Sequence, residues 1–125
     1  MLIMKTYINQ EIEKIIIIDS LINRISWSNE FKDVIIDLDW AGQDDLKEEF
    51  DFLKIKTSLY FEFVTEMESK LKFQPKTMGA LEIGSFSFAL KDKIWLIEFR
   101  FDFYSIGYIK FNCNSLKFII ENIAD

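Results

Sequence analysis

The sequence contains no histidine, which removes the side chain most often used as a general base and as a metal ligand. The Ser-His and Cys-His nucleophile pairs of many hydrolases therefore cannot be built from this chain. Gly79, Gly84 and Gly107 have neither the spacing nor the following lysine of a phosphate-binding loop. We expect a protein that works by binding another molecule and is not an enzyme.

Cysteine, proline and glycine are scarce, at one, one and four residues. The single cysteine, Cys113, cannot form an internal disulfide, and its alternating apolar surroundings are typical of a small core side chain. Few prolines and glycines leave little room for long loops. Charged residues interrupt every apolar run before membrane-span length, and the N-terminus lacks a signal-peptide pattern, so we expect a cytoplasmic protein.

Apolar residues, in contrast, make up 50% of the 125-residue chain, and 13 of them are phenylalanines. A chain of this length and hydrophobicity can bury the core of one domain, so residues 1–125 are predicted to form a single domain. The abundance of aromatic and β-branched side chains favours strands over helices.

Acidic residues are concentrated in one part of the chain. The segment from Glu30 to Asp51 contains nine acidic and two basic side chains, a formal charge of −7, whereas the whole chain carries −6. Such a segment disfavours binding to nucleic acid or to anionic membranes, and it suits a basic protein partner or a cation. The alternative is that the charge only keeps a phenylalanine-rich sheet soluble.

Alternating apolar and polar side chains predict strands in most of the chain after residue 32. The clearest alternation places Phe99, Phe101 and Phe103 against charged residues. Lys91 to Lys93 is predicted to connect two strands of a hairpin, and residues 105–107 are predicted to form another turn. Six strands are predicted, at 33–40, 52–64, 80–90, 94–104, 108–113 and in a final segment after residue 115.

The N-terminal region is ambiguous. Isoleucines and leucines from Ile8 to Ile25 roughly follow helical spacing, and Asn9 could cap a helix. The β-branched block Ile15–Ile18 equally suits a strand, followed by a short helix to about Ser26. We predict an α+β fold in which an N-terminal helical region packs on a twisted, mainly antiparallel sheet of about six strands that could partly close.

The candidate binding site follows the predicted strand at 33–40. Trp40 ends that strand immediately before the acidic stretch, so it is predicted to mark the centre of a partner-binding patch. Asp37 and Asp39 are roughly 7 Å apart on one strand face, a separation within the range of the two catalytic carboxylates of glycosidases. Alternate acidic residues on a strand usually form only its solvated face, so this pair is not predicted to be catalytic. The acidic cluster lacks the regularly placed glycine of an EF-hand calcium loop, and a weak divalent-cation site stays the alternative. No metal site and no cofactor are predicted. The predicted partner-binding residues are Asp37, Asp39, Trp40, Asp44, Asp45, Glu48, Glu49 and Asp51.

Two segments resemble small bacterial immunity proteins of polymorphic and contact-dependent growth inhibition toxin systems. Residues 101–118 are similar to a closing hairpin in which an aromatic-acidic strand meets a glycine turn and a Phe-x-Cys strand. Residues 27–33 are similar to a Trp, Phe, Asp motif before the first strand. Here Lys32 stands where that group usually has histidine, and one extra residue follows Trp27, so no role of that histidine is carried over.

The resemblance implies a cytoplasmic toxin inhibitor that binds the C-terminal domain of its cognate toxin. Many such toxins are nucleases with basic substrate channels, which an acidic protein would approach quickly and block. Two other classes stay open: a small apolar-ligand binder with a curved phenylalanine-rich sheet, and a structural subunit or homodimer formed through sheet edges. The sequence leaves the strand order, the toxin's activity and the oligomeric state open.

Overall fold

The computed structural model describes residues 4–73 and 81–122, with 63% strand and 8% helical residues. Two short 3-10 helices, Asn9–Lys14 and Asp44–Leu46, interrupt the strands. No helix in these ranges is long and apolar enough to cross a membrane. The strands are β1 (Met4–Ile8), β2 (Leu21–Ser28), β3 (Asp33–Asp39), β4 (Ile55–Glu62), β5 (Thr65–Phe73), β6 (Leu81–Glu82), β7 (Ser85–Lys91), β8 (Ile94–Phe101), β9 (Ser105–Cys113) and β10 (Ser115–Asn122).

The strands form two antiparallel sheets. Sheet A has the order β1-β10-β4-β3-β2-β6, and sheet B has the order β5-β9-β8-β7. Among the described connections, the chain passes from one sheet to the other between β4 and β5, between β6 and β7, and between β9 and β10. The β4–β5 and β9–β10 connections lie at the same end of the strands, because Ser115 pairs with Glu62 and Thr65 pairs with Asn112.

The two sheets face each other across an aromatic core. In β4, Leu59 and Phe61 are fully buried while the intervening Tyr60 is half-buried, as expected for a strand with one inner face. The Phe61 ring contacts Phe99 of β8 and Phe111 of β9 edge-to-face, at centroid distances of 6.1 and 4.8 Å. This packing identifies the fold as a β-sandwich.

The prediction of an N-terminal helical region is wrong. Residues 9–14 form only a 3-10 helix, and the isoleucine block that follows is extended, with Ile15 and Ile17 buried and Ile16 and Ile18 exposed. This alternation has the period of a strand, and β-branched side chains favour it. Asn9 has a φ of 52°, and its Oδ1 accepts a hydrogen bond from the backbone N–H of Leu116 instead of capping an α-helix.

Six of the described strands lie where the alternation predicted them, but several boundaries differ. Strand β5 (Thr65–Phe73) was not predicted and lies between the strands predicted at 52–64 and 80–90; residues 74–80 lie outside the described ranges. The predicted hairpin link is present, and Asp92 and Lys93 both have positive φ, as a two-residue turn requires. Gly107 is not in a turn but inside β9, where the carbonyl of Lys70 leaves no space for a side chain.

Candidate functional site

The acidic residues predicted as a site lie mainly in the connection from β3 to β4, residues 40–54, which we call the acidic loop. The 3-10 helix Asp44–Leu46 opens this loop, and the side chains of Leu46 and Phe50 point into the core. The backbone N–H of Phe50 donates to the carbonyl of Leu46 at 3.1 Å. Because the apolar residues are buried, the intervening carboxylates face solvent; these are Asp44, Asp45, Glu48, Glu49 and Asp51.

Leu53 is the most exposed large apolar side chain of the acidic loop. Its side chain is 93% exposed, and its backbone N–H donates to Oδ1 of Asp51 at 3.0 Å. That hydrogen bond holds the leucine next to a carboxylate. Residues 47–53 line a shallow depression of about 570 Å³. The surface therefore combines negative charge with one protruding apolar group.

Trp40 is buried at the base of the acidic loop and contacts Phe52 of that loop. The side chain is only 6% exposed, and Nε1 donates to the backbone carbonyl of Ile16 at 2.9 Å. Its ring meets Phe52 and Phe118 edge-to-face, both at a centroid distance of 5.3 Å. The structure thus places Trp40 in the core, as the anchor of the loop and not as an exposed contact at the centre of the patch.

Gln43 joins the start of the acidic loop to the isoleucine segment. Its Oε1 accepts from the backbone N–H of Ile16 at 2.8 Å, and its Nε2 donates to the carbonyl of Lys14 at 2.9 Å. The same Nε2 donates to Oδ1 of Asp45 at 2.8 Å. A second link nearby is the backbone N–H of Ala41, which donates to Oγ of Ser20 at 3.1 Å. The base of the loop is therefore fixed by side-chain hydrogen bonds.

The structure separates the two strand aspartates from the loop carboxylates. Asp37 is half-buried on the outer face of sheet A, opposite Arg24 of β2 and Ser58 of β4. Asp39 lies on the same face and is exposed.

Glu49 of the acidic loop forms a salt bridge with Lys5 of β1 at 3.2 Å. A side-chain interaction with Tyr7 and, to a smaller extent, the hydrogen bond to Glu49 raise the pKa of Lys5. The Lys5 ammonium is therefore protonated beside the acidic loop.

The sequence analysis did not identify the roles of Gln43 and Leu53 in the acidic loop, or of Asp33 at the other end of β3. Gln43 is only 9% exposed, and a buried glutamine needs partners for its amide. Leu53 was assigned to the strand predicted at 52–64, but β4 begins only at Ile55. Asp33 alternates in sequence with the apolar residues of β3, yet it is 4% exposed and accepts hydrogen bonds from the Tyr60 hydroxyl and the Phe63 backbone N–H. Burial cannot be inferred from alternation alone at the first residue of a strand.

The acidic loop offers hydrogen-bond acceptors and negative charge around an apolar side chain. Within the described ranges, no group of three or more potential metal-ligating side chains comes together. Cys113 is buried elsewhere in the core, and burial raises the pKa of its thiol to about 12. This chemistry suits non-covalent recognition of a cationic surface.

Comparisons of the chain with protein-family models, with curated proteins and with solved structures found no match. The function of the acidic loop is therefore argued from its own geometry. Its defining features are the exposed carboxylates, the protruding Leu53 and the base fixed by Trp40 and Gln43.

Proposed function

We propose that this chain is an immunity protein that binds and neutralises the toxin domain of its own producer, in the cytoplasm, without catalysis. The observation that carries the proposal is the acidic loop, which presents five exposed carboxylates and the 93% exposed Leu53. A toxin domain with a basic substrate channel is the partner whose charge complements this loop. Occupation of that channel would exclude the toxin's substrate.

The charge of the acidic loop supports fast association. Carboxylates concentrated on one surface steer a basic partner during diffusion, and this effect raises the association rate more than the final affinity. An inhibitor of a toxin made in the same cell benefits from speed, because free toxin damages the cell before it is captured. The location of the charge on a loop, away from the sandwich core, fits this role.

Leu53 and the fixed base of the loop support affinity. An exposed apolar side chain surrounded by polar groups is the usual composition of a binding hot spot, in which one anchor fills a pocket and the rim excludes water. The hydrogen bonds of Gln43 and Trp40 fix the loop before binding, so little conformational entropy is lost when the partner arrives.

Co-expression tests the proposal. The toxin domain encoded next to this chain is expressed in bacteria with and without it, and survival is measured. We expect the chain to restore growth, and a Leu53→Asp variant to protect less. Phe31→Asp is the matched control, because Phe31 is 77% exposed and precedes β3, whereas the acidic loop follows it. Undiminished killing in the presence of the unaltered, folded chain would refute the proposal.

The aromatic packing does not favour the alternative of a small apolar-ligand binder. Phe61, Phe99 and Phe111 are fully buried or nearly so, and their rings contact each other between the sheets. A ligand in that position would have to displace these rings. Native mass spectrometry of the purified protein distinguishes the two functions, because a ligand binder would retain a lipid-like adduct.

A further inference from the structure

The outer strands of the two sheets differ in how they are protected against pairing with other chains. The outer strands of sheet A, β1 and β6, have five and two residues, and short edge strands offer little backbone for pairing. In sheet B, β5 has nine residues but carries Glu66, Glu68, Lys70 and Lys72, and its pairing with β9 is interrupted by a bulge. Charge and bulges are the usual protection of long edges.

Strand β7, the other outer strand of sheet B, lacks these protective features. Its seven residues pair with β8 in one continuous register from Ser85 to Lys91, without a bulge. Lys91, the last residue, carries its only charge, and it contains no proline. The described residues provide no backbone hydrogen bond to the second edge of β7. A long, uncharged, regular edge of this kind is a template for another strand.

An apolar groove lies alongside β7. It has a volume of about 300 Å³ and is lined by residues that include Phe86 and Phe88 of β7 and the extended block Ile15–Ile18. Ile16, Ile18 and Leu90 are 52%, 45% and 58% exposed. Because β7 supplies Phe86 and Phe88 to this groove, a strand that paired with the β7 edge would place its own inward side chains beside it.

We propose that β7 pairs antiparallel with β7 of a second copy of this chain, about a two-fold axis at Phe88. This register pairs all seven residues. On the inner face it places Phe86 opposite Leu90 of the partner subunit, and Phe88 opposite Phe88 of the partner subunit. On the outer face it places Ser87 opposite Ala89 of the partner subunit. Apolar side chains therefore meet apolar ones, and small side chains meet small ones.

The charges at the ends of β7 agree with the same arrangement. Lys91 and Lys93 lie at one end, and at the other end the backbone N–H of Asp19 donates to the carbonyl of Ile83 at 2.9 Å, just before the strand begins. Antiparallel pairing brings the lysine end of each copy to the Asp19 end of the other. It also places Lys91 opposite Ser85 of the partner subunit, so no like charges face each other. Sheet B becomes a continuous eight-stranded sheet.

The oligomeric state in solution tests this proposal, by sedimentation velocity up to the highest soluble concentration. We expect the unaltered chain to sediment at twice its 14.9 kDa mass. The variant S87K/A89K should be monomeric, because each lysine would face a lysine across the axis. The variant S87K/A89E should still dimerise, because each lysine would then face a glutamate. Ser87 and Ala89 are both exposed, so neither change disturbs the core.

The control variant T65K/S69K adds the same charge to exposed residues of β5, the opposite edge of sheet B, and should remain dimeric. A monomeric unaltered chain would overturn the proposal. So would a dimer that survives in S87K/A89K, or one that S87K/A89E fails to restore while its circular dichroism stays that of the unaltered chain. None of these outcomes depends on a toxin, so the dimer and the immunity function are tested separately.

Discussion

The side-chain amide of Gln43 accepts the backbone hydrogen bond of Ile16 that a neighbouring strand would otherwise accept. Oε1 of Gln43 accepts the Ile16 N–H at 2.8 Å, and Nε1 of Trp40 donates to the Ile16 carbonyl at 2.9 Å. The backbone N–H and carbonyl of Ile16 are therefore both hydrogen-bonded to side chains at the base of the acidic loop. These bonds connect the extended isoleucine segment directly to the acidic loop.

The first prediction concerns this link. Gln43→Ala should lower the free energy of unfolding by about 1–3 kcal/mol, because the half-buried N–H of Ile16 and carbonyl of Lys14 lose their partner. Urea denaturation followed by tryptophan fluorescence measures the change. Gln10→Ala is the control, since Gln10 is exposed and should change stability by less than about 0.5 kcal/mol. Equal effects of the two substitutions would contradict the structural role of Gln43.

The second prediction concerns the charge of the acidic loop. Reversal of Asp44, Asp45, Glu48 and Glu49 to lysine should slow association with a basic toxin domain and lower the free energy of unfolding by only about 1 kcal/mol. All four side chains are exposed, and the interactions lost are the hydrogen bond from Gln43 to Asp45 and the salt bridge of Glu49 with Lys5. Stopped-flow association rates at several salt concentrations measure the effect. The unaltered chain should show a steep salt dependence that the variant loses. If the association rate of the unaltered chain is independent of salt, the acidic loop is not the binding surface.

The third prediction concerns Asp33, which connects two turns at the end of the sandwich opposite the acidic loop. Its Oδ2 accepts from the Tyr60 hydroxyl at 2.8 Å and its Oδ1 accepts from the Phe63 N–H at 3.1 Å. Asp33→Ala should destabilise the fold by about 1–3 kcal/mol, because two half-buried donors lose their acceptor. Exposed Asp39 provides the control substitution Asp39→Ala, which should be nearly neutral.

A double-mutant cycle isolates the interaction of Asp33 with Tyr60. Tyr60→Phe removes only the hydroxyl, which also lies 3.3 Å from Oγ of Ser28. We expect a coupling energy of about 1 kcal/mol or more between the two substitutions, because hydrogen bonds to charged groups are stronger than neutral ones. Additive effects of the two substitutions would show that the hydroxyl does not bind the carboxylate in solution.

The fourth prediction concerns Gly107, which has a φ of 139° inside β9. A Cβ at this position would lie 1.8 Å from the carbonyl oxygen of Lys70 in β5. Gly107→Ala should therefore force β5 away from β9 and cost about 3 kcal/mol in stability. Gly84→Ala is the matched control: its Cβ would meet only the side chain of Asp102, which can rotate away. Thermal melts of both variants would decide, and a mild Gly107→Ala effect would exclude this close approach.

The fifth prediction concerns the reactivity of Cys113. Burial raises the pKa of the thiol to about 12, so the folded protein at pH 8 should react with a thiol reagent only when it unfolds. The thiol has a higher pKa in the folded protein than in the unfolded chain, so the folded state holds this proton more tightly. The contribution of Cys113 to stability is therefore complete below the unfolded pKa and is lost as the pH rises towards about 12. Urea should accelerate labelling in parallel with unfolding. Rapid labelling of the native protein would show that the thiol is accessible.

Local patterns predicted the strands that have one buried and one solvated face. β8 is the clearest example, since its inward side chains Trp95, Ile97, Phe99 and Phe101 alternate with outward ones. The same reasoning failed for β5, whose residues are mostly exposed on both faces because it is an outer strand. It also failed for the isoleucine segment, where helical and extended spacings overlap over a few residues. Pairing partners far along the chain decide such cases.

The candidate site was predicted in part for a similar reason. Charge can be counted along a sequence, so the carboxylates of the acidic loop were found directly. The role of Trp40 could not be read in this way, because its burial depends on Phe118, which lies 78 residues later in the chain. Leu53 was hidden for the opposite reason: an apolar residue beside a strand is usually buried, and only the structure shows its exposure.

The pairing of β1 with β10 has a consequence for the order in which the protein folds. Met4 lies opposite Glu121, so the first described strand has no partner until the last one has left the ribosome. Contacts between such distant residues place the fold among proteins that complete folding slowly, in roughly milliseconds to seconds. Sheet A therefore cannot be completed before β10 has been made. A chain that stops short of β10 would lack Phe118, one of the two rings that Trp40 contacts beneath the acidic loop.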